Sequence, residues 1–204
     1  MVELLSLPDR SVHHLPGTSP AVFYLADRDG GGILINSPRF DPRLLAQLIL
    51  AAPLNFIFYP SRFGAADVDA WRAASGAKTM AWHDEVRHIE GVIDLPLSRE
   101  NRFSRTIDFL PMSGRTEGSC ALRCKNKPGI VFFGPILECG ASGWPTLLPH
   151  TDDYSFENRL IGALGLQSAE FDYAFSDDFD SVKSRYGPQA SQAIRAQLSA
   201  VLGG

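Results

Sequence analysis

Short apolar runs separated by turn-forming residues are the feature that most constrains the fold of this chain. Each run is rich in aromatic and β-branched residues and is bounded by Gly, Pro, Asn, Asp or Ser, a pattern typical of strands in a layered domain. We predict strands over residues 22–26, 32–36, 55–59, 78–82, 106–110, 119–124 and 130–133. The glycine-rich segment from Asp27 to Gly32 predicts a hairpin turn between the first two, and the first third is expected to be a meander.

Helical segments interleave with these strands. Asp41-Pro42 is a start signal, because a capping carboxylate precedes a proline at the first helical position, and this helix should end before Pro53. Further helices are predicted over 65–75 with Gly76 as terminator, over 155–164, and from Gly187-Pro188 onward, where Ala190, Ile194, Leu198 and Val201 recur at helical spacing. Residues 140–150, rich in Gly and Pro, are expected to form a surface loop. The irregular alternation predicts an α/β or α+β layered sandwich.

Composition bears on domain number, partners and location. The 204 residues are 45% hydrophobic and 21% charged, which fits one globular domain spanning 1–204. A net charge of −4 gives no electrostatic reason to expect nucleic acid or an anionic membrane as a partner. The amino terminus lacks an apolar stretch of signal-peptide length, so we expect a cytoplasmic protein. Cys120, Cys124 and Cys139 form an odd set, which predicts free thiols.

Several segments together carry a family resemblance. Asn55 to Asp67 is an apolar strand running into the loop Pro-Ser-Arg-Phe-Gly-Ala-Ala-Asp, and Ser113 to Ser119 reads Ser-Gly-Arg-Thr-Glu-Gly-Ser. Residues 132–135 read Phe-Phe-Gly-Pro, and an earlier strand ends in Asn36-Ser-Pro. In this order, with Gly-Ala-Lys at 76–78 before Met-Ala-Trp-His-Asp at 80–84 and an aromatic strand at 171–178, the chain resembles the metallo-β-lactamase-fold superfamily.

The resemblance covers about Ala21 to Asp180 and implies an αββα four-layer sandwich. In that family the corresponding loops read His-X-His-X-Asp-His, Gly-His-Thr-X-Gly-Ser and Phe-X-Gly-Asp, and they lie at one edge between two sheets. Their histidines and carboxylates hold metal ions that make a bound water acidic enough to attack at neutral pH. The resemblance therefore implies a fold but not an activity.

The metal ligands of the family are replaced throughout this sequence. Carried across by the resemblance, Pro60 and Arg62 stand at the first two histidine places, and Gly64 and Ala65 stand at the following aspartate and histidine. Arg115 takes the place of the third histidine and Pro135 that of the bridging aspartate, while the last histidine falls at Asp177 or Asp178. Proline, glycine and alanine have no side-chain donor atom, and arginine does not deprotonate. We therefore expect no metal cofactor at the usual place.

Arg62 and Arg115 bring positive charge to these loops instead. If both face the former metal pocket, their guanidinium groups would bind a carboxylate or phosphate, with Asp67, Thr116 and Asp178 as further pocket residues. The alternative is that the two arginines form structural ion pairs with Glu117, Asp67 or Asp178.

A relocated metal site is a further hypothesis. His83 and His88 are its candidates, but a spacing of five does not place two ligands on one helix face, so we do not expect a metal there. His13 and His14 read as loop residues with no catalytic role, and neither Ser61 nor Ser119 has a His and Asp pair at known spacing.

These patterns predict a non-catalytic metallo-β-lactamase-fold protein, a pseudoenzyme that serves as a small-anion-binding or interaction module. The alternative is a hydrolase of the same superfamily that uses a displaced or single metal. A third interpretation is a structural partner that forms a homo-oligomer, or binds another protein, through exposed apolar surface or the loop at Trp144-Pro145.

Overall fold

The computed structural model describes residues 1–27, 31–100 and 103–202. The chain forms two compact units, Met1–Leu97 and Ser98–Gly204. Each unit has its own sheet and its own hydrophobic core. None of the helices in the described ranges is long and apolar enough to span a bilayer.

The first unit contains a seven-stranded sheet whose strands lie in sequence order. The first four strands pair antiparallel, and the fourth to the seventh pair parallel. The strands are β1 (Val2–Ser6), β2 (Arg10–Leu15), β3 (Val22–Asp27), β4 (Gly31–Ile35), β5 (Leu54–Tyr59), β6 (Lys78–Trp82) and β7 (Leu95–Leu97). The meander expected for the first third is confirmed. Residues 28–30 of the expected hairpin turn lie outside the described residues, but the two strands that flank them pair as a hairpin does.

Three helices cross over between the parallel strands: α1 (Pro42–Ala51), α2 (Val68–Ser75) and α3 (His83–Val86). The start of α1 is confirmed, because the Asp41 side chain accepts a hydrogen bond from the Arg43 N–H at 2.8 Å. Leu45 and Leu48 of α1 pack into a core with Tyr24, Ile57 and Trp71. This burial explains the near-continuous apolar runs of β3 to β6, since strands covered on both faces have no solvent side to make polar.

The helix predicted from residue 65 begins later and buries a different face. Residues 62–64 form a short 3-10 turn, and Asp67 adopts a left-handed backbone with φ of 47°, so α2 begins at Val68. The sequence predicts an apolar face of Ala66, Ala70, Trp71 and Ala74. Trp71 is buried, together with Val68, but Ala70 and Ala74 are exposed, so the alanines of this face are predicted wrongly. Gly76 ends the helix as predicted.

The second unit contains a four-stranded sheet and a small two-stranded one. Strands β8 (Ile107–Pro111), β9 (Cys120–Cys124) and β10 (Ile130–Phe132) pair antiparallel in succession, and β13 (Tyr173–Phe175) pairs parallel with β10. Strand β11 (Glu138–Cys139) pairs with β12 (Pro145–Thr146). Helices α4 (Phe156–Gly165) and α5 (Ala190–Leu202) pack on a core that includes Phe133, Leu147 and Ile194.

The sequence predicted the positions of seven strands to within one residue at each end and missed others, among them β1, β2 and β7, whereas β13 lies within the aromatic strand expected at 171–178. His13 and His14 lie in β2, so the expectation that they are loop residues is wrong. The surface loop expected over 140–150 is wrong at its centre, because β12 lies there and Thr146 and Leu147 are buried. Trp144 and Pro145 are half-buried and buried, respectively, so they offer no projecting loop.

A bidentate ion pair joins α2 to the edge of the first sheet and generates a prediction about pH. Arg72 donates three hydrogen bonds to Asp94, and the backbone N–H and hydroxyl of Thr79 donate two more. The hydrogen bonds from Arg72 are the main reason that the pKa of Asp94 lies well below its usual range. A depressed folded-state pKa contributes stability above the unfolded pKa of about 3.9, and this contribution is lost as pH falls toward the folded value.

We expect Asp94→Asn to lower the free energy of unfolding by about 1–2 kcal/mol at pH 7, discounted because Arg72 is 41% exposed. The difference between variant and wild type should shrink as the pH falls from about 5 to about 2, because Asp94 of the unfolded wild type then takes up a proton while the folded protein still holds the carboxylate ionised. Urea unfolding across this range measures it, with Asp84→Asn as the control at an exposed carboxylate. A difference in the free energy of unfolding that stays constant with pH would show that Asp94 stabilises the fold through packing and not through its charge.

Candidate functional site

The loop that replaces the family's main ligand loop follows β5. Ser61 begins it: its hydroxyl accepts the Phe63 N–H at 3.3 Å and caps the 3-10 turn of Arg62–Gly64. The Gly64 carbonyl accepts the Ser37 N–H at 2.7 Å, and the Ala66 carbonyl accepts the Ser37 hydroxyl at 2.6 Å. The loop is therefore held from both sides by its own hydrogen bonds.

Gly64 lies directly against Asn36, the residue that ends β4. A Cβ placed on Gly64 would lie 1.8 Å from the Asn36 Oδ1, closer than any real contact. Asn36 is fully buried, has a left-handed backbone with φ of 63°, and donates from Nδ2 to the Ala21 carbonyl at 2.8 Å. The space that a side chain at position 64 would need is thus filled, so an aspartate ligand does not fit there.

Arg62 is the charged residue of this loop, and its partner is Glu85 of α3. The Glu85 carboxylate is fully buried, accepts the Arg62 backbone N–H at 2.8 Å, and lies 3.6 Å from the Arg62 Nη1. The guanidinium also lies over the Phe63 ring, 5.5 Å from its centroid. The Arg62 side chain is 36% exposed, so part of the cation faces solvent while the other part is neutralised from within.

Asp67 does not pair with Arg62. It is exposed, and its carboxylate accepts the Phe40 N–H at 2.8 Å, which fastens the segment before α1 to the start of α2. Arg62 thus forms an ion pair with Glu85 and not with Asp67, and anion binding at its exposed part stays a prediction.

The loop between β8 and β9 in the second unit carries Arg115. Its turn is closed by Ser119, whose buried hydroxyl donates to the Met112 carbonyl at 2.8 Å. Gly114 has a φ of +139° and packs against α4, where an added Cβ would lie 2.3 Å from the Arg159 Cγ. The Gly-X-Thr-X-Gly-Ser frame is retained here for packing and turn geometry.

Arg115 forms ion pairs with two acids that sequence analysis did not single out. Its Nη1 lies 3.1 Å from Asp152 Oδ1 and 3.7 Å from Asp153 Oδ1, and its side chain is 13% exposed. The hydrogen bond from Arg115 is the main reason that the pKa of Asp152 is lowered. Two carboxylates thus already face this guanidinium, which leaves it less able than Arg62 to attract a further anion.

A buried charged cluster adjoins Arg115. Arg159 of α4 has a fully buried side chain; its Nη1 donates to both oxygens of Asp153 at 2.8 Å, and its Nη2 donates to the Ile136 carbonyl at 2.9 Å. The Arg159 Nη2 also lies 3.4 Å from Glu138 Oε1. The same Glu138 oxygen lies 2.6 Å from His150 Nε2. We define Arg115, Asp153, Arg159, Glu138 and His150 as the buried charge cluster.

Thr116 and Asp178 are the remaining predicted pocket residues of the second unit. Thr116 is fully buried, and its Oγ1 has no hydrogen-bond partner among the described residues. Asp178 accepts the Cys139 N–H at 2.8 Å and the Ser176 hydroxyl at 2.7 Å, so it fastens β11 to the segment after β13. Its carboxylate is committed to these groups and forms no ion pair with Arg115.

The metal hypothesis finds no donor set in the described ranges. Residues 1–27, 31–100 and 103–202 contain no group of three His, Cys, Asp or Glu side chains placed to hold a metal ion. His83 contacts Asp84 at 3.0 Å and the Leu97 carbonyl at 3.2 Å, whereas His88 contacts Arg87 at 3.2 Å. The two histidines thus have different partners. With Pro60, Gly64, Ala65 and Pro135 at the family's ligand places, the residues present do not fit the family's metal ions.

One pair of chemically capable side chains in the first unit was missed. Ser11 Oγ lies 2.9 Å from His13 Nε2 on β2. A Ser-X-His spacing places both side chains on one face of a strand, because strand side chains alternate. The signal was present in the sequence, but the segment was interpreted as a loop, where this periodicity has no meaning.

The buried charge cluster generates a stability prediction. We expect Arg159→Met to lower the free energy of unfolding by about 3–5 kcal/mol, because the variant leaves the Asp153 carboxylate buried without its main partner. The double variant Arg159→Met, Asp153→Asn should recover part of this loss, since it removes the stranded charge. Urea unfolding measures both, and Arg185→Met at an exposed position is the matched control. A single variant within about 0.5 kcal/mol of wild type would contradict the argument.

Comparison with known proteins agrees with the fold. No family model matches the sequence, and no curated protein matches it. Among solved structures, a metallo-β-lactamase from Cronobacter sakazakii with a HARLDQ motif is similar with a TM-score of 0.64 and 12% identity, over 87% of this chain and 80% of that one. A subclass B3 metallo-β-lactamase of Bradyrhizobium japonicum is similar with a TM-score of 0.62 and 11% identity, over 98% and 93%. The chemotaxis sensor ODP, described as a peroxy diiron species, gives 0.71 and 14%, over 98% and 94%.

These identities are low, so the likeness concerns the fold. The agreement of strand order, loop positions and solved structures shows that this chain has the metallo-β-lactamase fold.

Proposed function

We propose that this chain is a metallo-β-lactamase-fold protein without metal-dependent catalysis at the usual loops, and that it binds a small anion at Arg62. The observation that carries the proposal is the guanidinium of Arg62, which is partly exposed in the loop that replaces the ligand loop. A carboxylate or phosphate is the matching ligand class, because a planar guanidinium donates two parallel hydrogen bonds to either.

The surroundings of Arg62 support this assignment. The loop backbone is held by Ser37 and Ser61, so the arginine projects from a fixed base. The buried Glu85 carboxylate lies 3.6 Å from Nη1 of the guanidinium, and the Arg62 side chain is 36% exposed. Phe63, 40% exposed, offers an apolar face beside the cation.

Metal content tests the first half of the proposal. Protein purified without an affinity tag should bind less than about a tenth of an equivalent of zinc, iron or manganese, because the loop residues lack donor atoms. Metal analysis and thermal shift with each metal added measure this. Stoichiometric metal would contradict the proposal and favour the alternative, a hydrolase with a displaced or single metal site.

Anion titration tests the second half. Phosphate and small dicarboxylates should bind wild-type protein with millimolar or tighter affinity, and Arg62→Gln should weaken binding about tenfold or more through loss of a charge-assisted pair. Isothermal titration calorimetry measures both. Arg43→Gln on the exposed surface of α1 is the matched control, because it removes the same charge from the same unit.

Arg115→Gln separates the two arginines in the same titration. Because Asp152 and Asp153 already face Arg115, its loss should change anion affinity less than the loss of Arg62. No binding to wild type, or equal weakening in Arg43→Gln, would mean that Arg62 acts as a structural ion pair with Glu85.

A further inference from the structure

A cavity of about 370 Å³ lies in the first unit where the chain enters β5. Its lining comes from β1 and β2, from the end of β3, and from the residues that link α1 to β5: Glu3, Ser6, Ser11, Asp27 and Ala51 to Pro53 are among them. Arg62 follows the other end of β5, a strand of six residues. At about 3.3 Å per residue the two places are about 20 Å apart along the sheet, so this cavity is distinct from the loop discussed above.

Ser11 and His13 are the reactive pair at this cavity. Strand pairing places Ser11 opposite Ser6 and Ala26, and His13 opposite Glu3 and Tyr24. Ser11 is half-buried and lines the cavity, whereas His13 is 9% exposed and lies behind it. The 2.9 Å distance from Ser11 Oγ to His13 Nε2 is the reach over which an imidazole takes a proton from a hydroxyl.

The surroundings of His13 favour a neutral imidazole. Burial lowers the pKa of His13, the nearby amino terminus lowers it further, and the charge of Glu3 opposes both. Tyr24, the residue opposite His13 on β3, donates its hydroxyl to the Ala52 carbonyl at 2.6 Å, and burial raises the pKa of this phenol. The imidazole therefore remains unprotonated at neutral pH, with Nε2 available to accept the Ser11 proton when the ring hydrogen is on Nδ1.

We propose that Ser11 and His13 form a nucleophile and base that hydrolyse small esters in this cavity, independently of any metal. Glu3 is a positioning residue that acts through the imidazole from the neighbouring strand. The volume of the cavity and its mixed polar and apolar lining fit a small acyl group. This activity goes beyond anion binding at Arg62 and does not rest on it.

The reaction needs only water as a second reactant. Ser11 Oγ bonds to the ester carbonyl carbon while its proton moves to His13 Nε2, and the tetrahedral intermediate expels the alcohol, which takes that proton. Water then attacks the acyl group on Ser11 and gives a proton to His13. Cleavage of the acyl-oxygen bond releases the carboxylic acid, returns the proton to Ser11, and restores the pair.

The first experiment is covalent labelling of the wild-type full chain with phenylmethylsulfonyl fluoride, followed by peptide mass spectrometry. We expect one sulfonyl group on Ser11, and its loss in His13→Gln, because an unactivated serine does not react. A wild-type chain that takes up no label, or takes it up at another residue, overturns the proposal. This readout on wild type does not depend on whether any variant folds.

The second experiment is hydrolysis of p-nitrophenyl acetate. Ser11→Ala and His13→Gln should each lower kcat/KM about 100-fold, and each should cost about as much as the double variant because the two residues act as a unit. Ser168→Ala and His88→Gln, at exposed positions outside the cavity, should retain wild-type rates. Hydrolysis that persists in Ser11→Ala overturns the proposal.

Glu3→Gln tests the positioning role through a pH profile. Because Glu3 raises the pKa of His13, its removal should move the acidic limb of the rate to lower pH, while the rate on the plateau falls less than tenfold. An unchanged acidic limb would remove Glu3 from the mechanism, and a profile with no acidic limb in wild type would overturn His13 as the base.

Discussion

The contact between Gly64 and Asn36 determines what the loop after β5 can be. Asn36 turns the chain at the end of β4 through a left-handed backbone and fills the space beside Gly64, where a Cβ would lie 1.8 Å from its Oδ1. Ser37 then binds the loop on its other side through the Gly64 and Ala66 carbonyls. Packing therefore excludes a ligand side chain at position 64, because such a side chain would need a different residue at position 36 and a different path for the loop.

Most strands could be predicted from the sequence because buried strands consist of long runs of apolar residues. Strands β3 to β6 contribute to one core and carry long apolar runs, a pattern that loops and surface helices do not share. Strand β1 is exposed at the edge of the sheet, and β2 carries Arg, Ser and two His in six residues, so neither has that density. Strands β1 and β2 were missed because pairing with neighbouring strands, and not their own amino-acid composition, determines their conformation.

The sequence predicts which residues of the candidate site lack metal-binding atoms, but it does not predict which residues form its ion pairs. That Pro60 or Gly64 cannot bind a metal follows from the side chain alone. The partner of Arg62, by contrast, is Glu85, 23 positions away, and that of Arg115 is Asp152, 37 positions away. Helix α3 and the segment before α4 bring these acids into place, and charge alone favoured nearer acids such as Glu117. The burial of Arg159 is even harder to predict from the sequence, because fully buried arginines are rare. The carbonyl and carboxylate groups around its guanidinium are what stabilise it there.

Ser11 and His13 also cannot be recognised as a pair from the sequence alone, because their contact depends on the strand that contains them. Two polar residues at spacing two meet only if their segment is a strand, and β2 becomes a strand because β3 pairs along its whole length. The pair lies toward the end of the sheet opposite Arg62, where neither the replacement of ligands nor the packing of Asn36 acts. The Arg62 loop and the Ser11–His13 pair therefore share no residues, and each can be assigned a role from its own side chains.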